Sequence, residues 1–459
     1  MKKLVIFLLF LLSIVVAIPF VGSKMVDSEV LKVLDRLESN GIKLKNSSAK
    51  YSYLDSSKHY LFVIEDSDKF ISYIEQIKGS KVDSYLHNLL NGMEIGTDLK
   101  YSNIPFSDKI SLDFYPLSLS KDALYKITKK DELLKEFIVD FLESKNLLYH
   151  IDYNLKTTRF NGYIKDIDAT YVTRKDDTVM LSLTNSTFNG EKLSLKPKNI
   201  NSKTDELSYT IKNKKGRLDL TFEGIKSTLE LQSNNEYSYK SELASFLFKI
   251  DPAKGKNIFI NMKNLKLDLF TDSLGDKMEF STKTSFDSLN IVNNDGTIKI
   301  DGFNYDIDIK NVDKNSYVEF NNIFTKSKSL RTKKLKREVP KYLSKLLANG
   351  IDINLVDFSV KNIDYHNDKD LNGFRLGSYI DIKRDSKLAK KIKHLKNLDI
   401  SKIDLDLSLN ISKKLFLRVL KEIPMFIFLK NYSQESSNNL FYKIKLSGGK
   451  ALINDKKVN

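Results

Sequence analysis

The sequence predicts an α+β protein: predominantly an antiparallel β meander with peripheral helices and an N-terminal transmembrane helix. Three observations carry this prediction: an apolar run at the start, a change of hydrophobic period from 3.6 to 2 near Leu148, and turn dipeptides punctuating the alternating region. With 459 residues, 41% of them hydrophobic, the chain can bury two or three cores. Four segments follow: 1–23 as the membrane segment, 24–150 as an α+β region, 151–330 as the antiparallel sheet and 331–459 as a second α+β region.

Lys2 and Lys3 precede an apolar run from Leu4 to Gly22, interrupted only by Ser13 and Pro19. At ~1.5 Å per helical residue it covers about 28 Å, close to the ~30 Å of a bilayer's hydrocarbon. Its length favours an uncleaved anchor. The alternative is a secretory signal cut at Val21-Gly22-Ser23, although such signals carry apolar regions of only ~7–15 residues. The lysines at the start keep the N-terminus cytoplasmic and export the body.

Cysteine is absent, which excludes disulfides, thiolate catalysis and Cys-ligated metals. The net charge of +16 comes from 66 Lys and only nine Arg, spread along the chain without aromatic interleaving. That pattern describes a solvated surface and argues against nucleic acid as a partner. It also suits proximity to anionic lipid.

In chain order, Val26, Val30, Leu34 and Leu37 recur at helical spacing up to Asn40, with Gly41 as a stop. Tyr51 to Leu54 and Tyr60 to Ile64 predict short strands around a turn at Ser56-Ser57-Lys58. Phe70 to Asn91 is helical, broken at Gly79, with Leu86, Leu89 and Leu90 inward; Ile110, Leu112 and Phe114 alternate toward Pro116. Lys130 to Asn146 places Leu134, Phe137, Ile138, Phe141 and Leu142, together with Leu133, on one helical stripe, and Asp131 and Glu132 complement the dipole in its first turn.

From Leu148 the alternation runs through Leu181 and Leu183, Leu193 and Leu195, Leu218 to Phe222, Leu229 and Leu231, Leu265 to Leu269, Met278 and Phe280, and Ile298 and Ile300. Asn161-Gly162, Asn189-Gly190 and Asp295-Gly296 predict hairpin turns. Strands apolar on one face only fit a sheet over a single core rather than a parallel sheet buried on both sides. No repeat period of fixed length is evident. The charge run Lys326 to Arg337 leads into an amphipathic helix ending at Asn349-Gly350, read as a connector with a solvated basic face or as a contact for membrane phosphates. Ile403 to Ile411 alternates most cleanly, with Asp404 and Asp406 on its solvent side. A helix from Lys414 to Leu429 follows, which Pro424 should end or kink. Together strand and helix are expected to enclose a closed core around Leu407. A hairpin at Gly448-Gly449 closes the chain.

The strand Leu395 to Ile411, the helix Lys414 to Leu429 and the ending Leu440-Phe-Tyr-Lys-Ile-Lys-Leu-Ser-Gly-Gly-Lys-Ala-Leu-Ile-Asn454 resemble the end of the YdgA-like family of bacterial envelope proteins of unknown function. The N-terminal run with Gly22 and Glu29 after it, and the stretch Phe160-Asn-Gly-Tyr-Ile-Lys-Asp-Ile-Asp168, are similar too. The resemblance implies an inner-membrane anchor and a periplasmic body. It supplies no catalytic residues.

Motifs for chemistry are missing: there is no G-x-S-x-G elbow, Walker A loop or G-x-G-x-x-G. Gly448-Gly449-Lys450 lacks the upstream Gly of a phosphate loop. His59, His87, His150, His366 and His394 are scattered with no H-x-x-x-H pair. Asp368-Lys-Asp370-Leu-Asn372-Gly373 reproduces the opening of a calcium loop, but its twelfth position is Tyr379 where the closing Glu belongs, so a turn is the better reading. No catalytic, cofactor or metal residue is therefore assigned. The expected function is that of a non-enzymatic, membrane-anchored envelope protein acting by binding or assembly. Its partners would be the membrane and, beyond it, lipid or envelope proteins. The alternative is a lipid or amphiphile carrier using a one-sided apolar groove, with a hydrolase lacking recognised motifs as a third class.

Overall fold

The computed structural model describes residues 34–51, 55–78, 82, 85–102, 108–129, 131–173, 177–192, 198–233, 236–326, 339, 343, 345–384 and 400–457. The expected N-terminal membrane helix, the charge run after Lys326, the Leu193–Leu195 strand and His394 lie outside them. Among the described residues no helix is long and apolar enough to cross a membrane. The chain divides into two compact units, Met1–Leu231 and Gln232–Asn459.

The first unit is an antiparallel sheet with helices on one face. Its strands are β1 (Ile42–Tyr51), β2 (Asp55–Ile64), β3 (Glu94–Ser102), β4 (Lys109–Ser118), β5 (Tyr149–Asn154), β6 (Arg159–Ile164), β7 (Ile167–Val172), β8 (Thr178–Thr184), β9 (Ser186–Glu191), β10 (Asn199–Asn213) and β11 (Gly216–Ser233). β1 to β6 pair in order, β6 pairs β9, β7 pairs β8, and β8 and β9 both lie along β10, which pairs β11. The helices are α1 (Ser67–Lys78), α2 (Tyr85–Leu90), α3 (Lys121–Thr128) and α4 (Glu132–Glu143). Phe70, Leu90, Ala123 and Leu142 pack from them onto Ile64, Leu99, Leu112 and Ile151 to form the largest core. Caps fix two helix starts: Ser120 accepts from Ala123 N at 3.0 Å and Asp131 from Leu134 N at 3.3 Å. The helix ending at Asn40 stops at Gly41, whose φ of 86° admits no side chain without strain.

Three turn expectations fail here. Ser56-Ser57-Lys58 lies inside β2, with Ser56 buried. Asn161-Gly162 and Asn189-Gly190 lie inside β6 and β9, where Asn161 faces Asn189, Gly162 faces Phe188 and Phe160 faces Gly190. A Cβ on Gly162 would sit 2.5 Å from the Phe188 ring, and one on Gly190 2.6 Å from the Phe160 ring. The glycines make room for two rings rather than for a turn.

The second unit holds β12 (Glu236–Pro252), β13 (Ile258–Leu274), β14 (Lys277–Asn293), β15 (Gly296–Asp313), β16 (Ile351–Val360), β17 (Asn362–Tyr365), β18 (Phe374–Ile382), β19 (Ile403–Ser412), β20 (Gln434–Ser436), β21 (Asn439–Ser447), β22 (Lys450–Ile453) and β23 (Lys456–Lys457). β12 to β16 pair in sequence, β16 pairs β18, β18 pairs β19, and β19 pairs β21. The turn expected at Asp295-Gly296 falls one residue earlier, since Gly296 already begins β15. Gly448 and Gly449, at φ 54° and 77°, form the left-handed pair of a type I′ hairpin as expected. Its helices include α5 (Lys314–Lys326) and α6 (Lys413–Glu422), and residues 345–348 are helical as well; α6 is capped by Ser412, which accepts from Leu415 N, and it ends before Pro424 opens a 3-10 helix, Pro424–Tyr432.

The long strands are kinked along a line. Asn264 (φ 55°) in β13 and Gly302 (φ 66°) in β15 flank Asp287 in β14, and pairing keeps one register on either side of each kink. A left-handed residue shifts the in–out alternation by one. Apolar positions accordingly change from even (Ile258, Ile260, Met262) to odd (Leu265, Leu267, Leu269) across Asn264. The first unit repeats the device: Asn185 (φ 49°), between β8 and β9, meets Asp205 of β10, Gly224 (φ 63°) follows in β11, and the apolar positions of β11 switch from Leu218, Leu220 and Phe222 to Leu229 and Leu231.

Candidate functional site

Alternation places one side chain per pair of residues on each face, so the registers of the second unit can be read across the sheet as rows. One row runs Phe280, Ile309, Ile353, Ile380, Leu405, Leu446, and the next Leu269, Thr282, Ile307, Leu355, Ser378, Leu407, Ile444. Phe286 stacks on Phe303 at 4.7 Å between ring centres, and Phe358 meets Phe374 edge-on at 5.1 Å. The opposite face is ionic: Lys283 pairs with Asp306 at 3.0 Å, Arg375 with Asp357 at 3.0 Å and Lys383 with Asp404 at 2.6 Å. Hydrogen bonds from Lys383 and Ser447 hold the Asp404 carboxyl below its ordinary range. Asp404 and Asp406 are thus polar-face residues, as the alternation implies.

Among the described residues, buried side chains cluster in two parts of this apolar face. Met278, Val312, Leu346 and Ile351 form one cluster, with Tyr317 and Phe320 of α5 against it; Ile411, Leu440 and Tyr442 form the other, under Leu415 and Phe416 of α6. The rows between them are half-buried, Ile307, Leu355, Leu407 and Ile444 included. The closed core expected around Leu407 is therefore limited to the Ile411 end of β19, because α6 stops at Glu422 and covers no more. At ~3.3 Å per residue and ~4.8 Å per strand, the face extends about 55 Å along β13 and about 30 Å from β13 to β21.

The first unit carries a polar face instead. Ser48, His59, Asp98, Asp113, His150 and Tyr163 succeed one another across β1 to β6. His59 Nδ1 lies 2.6 Å from Asp98 Oδ1, while the Tyr115 hydroxyl and Lys145 Nζ donate to Asp98 Oδ2 at 2.8 and 3.0 Å. Burial pushes the Asp98 carboxyl up, but these three hydrogen bonds outweigh it and hold its pKa below the ordinary value. Tyr115, buried and bonded to that carboxylate, is pushed well above the usual phenol range. His150 pairs with Asp113 at 2.6 Å and Asp152 at 3.3 Å and stacks on Tyr163. A cavity of about 600 Å³ opens beside the next row, lined by Lys50, Ser57, Lys100 and Ser111. The histidines read from the sequence as scattered are thus organised: His59, His87 and His150 each hold an aspartate, His87 that of Asp68. Partners 37 and 39 residues away leave no local signal. No group of metal-ligating side chains assembles among the described residues.

The Asp368 loop is a wide turn rather than a tight Asn-Gly hairpin. Asp370 N donates to Asp364 Oδ1 at 2.8 Å, Asn372 N to Asn362 Oδ1 at 3.0 Å, Leu371 is buried, and Asp368 pairs with Arg418 at 3.2 Å.

A family model described as a bacterial protein of unknown function (DUF945) matches residues 125–425. The chain belongs to that family. The DUF945 match takes in β12 to β19, and with them most of the half-buried apolar face, but begins after His59 and Asp98. No curated protein and no solved structure matches the chain.

Proposed function

We propose that this DUF945 protein binds amphiphiles, laying their acyl chains along the apolar face of the second unit, and that it does so as a membrane-anchored envelope protein. The observation that carries the reading is the continuity of half-buried apolar rows from β13 to β21. Uncovered patches beyond several hundred Å² are uncommon on a monomer unless a partner or ligand lies on them. The ligand class follows from the sheet: its backbone groups are spent on strand pairing, so the face offers an apolar surface with few hydrogen-bonding groups. The run Leu4–Gly22, and the resemblance to YdgA-like envelope proteins, supply the inner-membrane anchor and periplasmic body of this reading, with a cleaved signal as its alternative. The role in this reading is one of binding, without catalysis; the Tyr115 hydroxyl 3.5 Å from His59 donates its hydrogen bond to Asp98. Native mass spectrometry of the detergent-extracted full chain tests the proposal. Bound lipid is expected in the parent and is expected to be lost in Ile307→Glu and Leu407→Glu. An unchanged lipid complement in both variants, folded by circular dichroism, overturns it.

A further inference from the structure

From the structure we infer a second lipid contact, a membrane-docking knuckle formed by the end of α6 and the 3-10 helix after it. Pro424 breaks the helix, and the chain folds back so that Leu429 and Tyr432 rejoin the core. What is left outside is apolar: Met425 is 71% exposed, Ile427 64%, Leu417 55%, Phe428 46% and Ile423 42%. Five large hydrophobic side chains are exposed within twelve residues, a density beyond the single scattered exposures that any surface shows.

Charge selects the occupant. Residues 412–433 carry five cations, Lys413, Lys414, Arg418, Lys421 and Lys430, against one carboxylate, Glu422. Lys413 pairs with Glu435 and Arg418 with Asp368 and Glu422, Lys430 is drawn to Glu435 as well, and Lys421 forms no ion pair with any described residue. Protein interfaces are depleted of lysine, whereas apolar tips ringed by lysines fit the boundary of an anionic bilayer, with side chains among the acyl chains and ammonium groups at the phosphates. The run Ile423 to Leu429 is far too short to span, so the contact is interfacial. This inference stands whether or not the sheet of the second unit binds amphiphiles.

The chain has no tryptophan, so Phe428→Trp places a single tryptophan, excited selectively over the tyrosines, at the knuckle of the full-length protein. Because it reports locally, anchorage elsewhere in the chain does not mimic it. In vesicles of phosphatidylcholine containing phosphatidylglycerol, the Trp emission should shift to the blue and be quenched by brominated acyl chains. Adding Met425→Ser and Ile427→Ser should abolish both effects without altering circular dichroism or the melting temperature. Emission that stays that of a water-exposed indole in those vesicles overturns the inference. So does a blue shift that needs no vesicles and grows with protein concentration, which would assign the patch to a second copy of the chain.

Discussion

Asn264 donates through Nδ2 to the Asp287 carboxylate at 2.7 Å, tying β13 to β14 at the left-handed residue of β13. Asn185 does the same to Asp205 at 2.6 Å in the first unit. In each case the asparagine has positive φ, the aspartate follows on the next strand and a glycine of positive φ on the one after. Asn tolerates that conformation better than other non-glycine residues, and the bond to Asp selects it over Gly. The kink lets strands of 17 and 18 residues stay paired while the apolar face continues through a change of parity.

Asn264→Val should therefore be destabilising by about 1–3 kcal/mol, since a β-branched residue is forced into a left-handed backbone. Asn264→Gly should stay within about 1 kcal/mol of the parent, exchanging a hydrogen bond for conformational freedom. Urea unfolding of the two variants checks this; equal losses would mean that the side-chain bond, not the backbone, sets the kink.

Much of the second unit was legible in the sequence because alternation is a local signal: Ile403–Ile411, the hairpin at Gly448-Gly449 and the stop before Pro424 all appear where the pattern puts them. The parity change at Asn264 and Gly302 was legible too, but easily taken for the end of one strand and the start of another. What could not be read depends on partners far along the chain. Asn161-Gly162 carries a turn signature, yet its conformation is decided by Phe188, 26 residues on in the same register. His59 and Asp98, likewise, meet only through the pairing of β2 with β3. How far a helix covers an apolar face is also a tertiary fact, which is why Leu407 was expected inside a core and lies half-buried.

The Phe188 ring over Gly162 gives a second prediction. Gly162→Ala places a methyl group against that ring and against His150 O, with no flexible neighbour to yield. Overpacking of this kind costs about 1–3 kcal/mol. Adding Phe188→Leu should recover only the part of that loss owed to the ring, since the His150 carbonyl stays in place, and a double variant no more stable than Gly162→Ala in thermal melts would count against ring contact as a cause.

Acid should weaken the first unit through Asp98. Its pKa is lower folded than unfolded, so its contribution is present above the unfolded carboxylate value of ~3.9 and is lost as pH falls through the folded value. Asp98 is partly exposed, so Asp98→Asn should cost only about 1 kcal/mol at pH 7. The gap between parent and variant should close below about pH 4. Urea midpoints measured from pH 7 to well below the unfolded carboxylate value decide it: a gap independent of pH would show that the carboxylate's charge is not what His59, Tyr115 and Lys145 hold.

Leu407 and Phe416 separate a covered surface from an open one. Phe416 of α6 is buried against Tyr442, with ring centres 6.1 Å apart, and Phe416→Ala should cost about 3–5 kcal/mol. Leu407 faces Ser378 on one side and Ile444 on the other and is half-buried. Its truncation removes less buried surface and leaves no enclosed cavity, so Leu407→Ala should cost about 1–2 kcal/mol, below the ~2–5 of a fully enclosed leucine. The two variants should also diverge in a second measurement. Lipid carried by the detergent-extracted chain should fall in Leu407→Ala, whose methyl groups would line the bound acyl chains, and persist in Phe416→Ala molecules that remain folded. A Leu407→Ala chain destabilised as much as Phe416→Ala, with its lipid complement intact, would place Leu407 inside a closed core and remove the central row from the binding face.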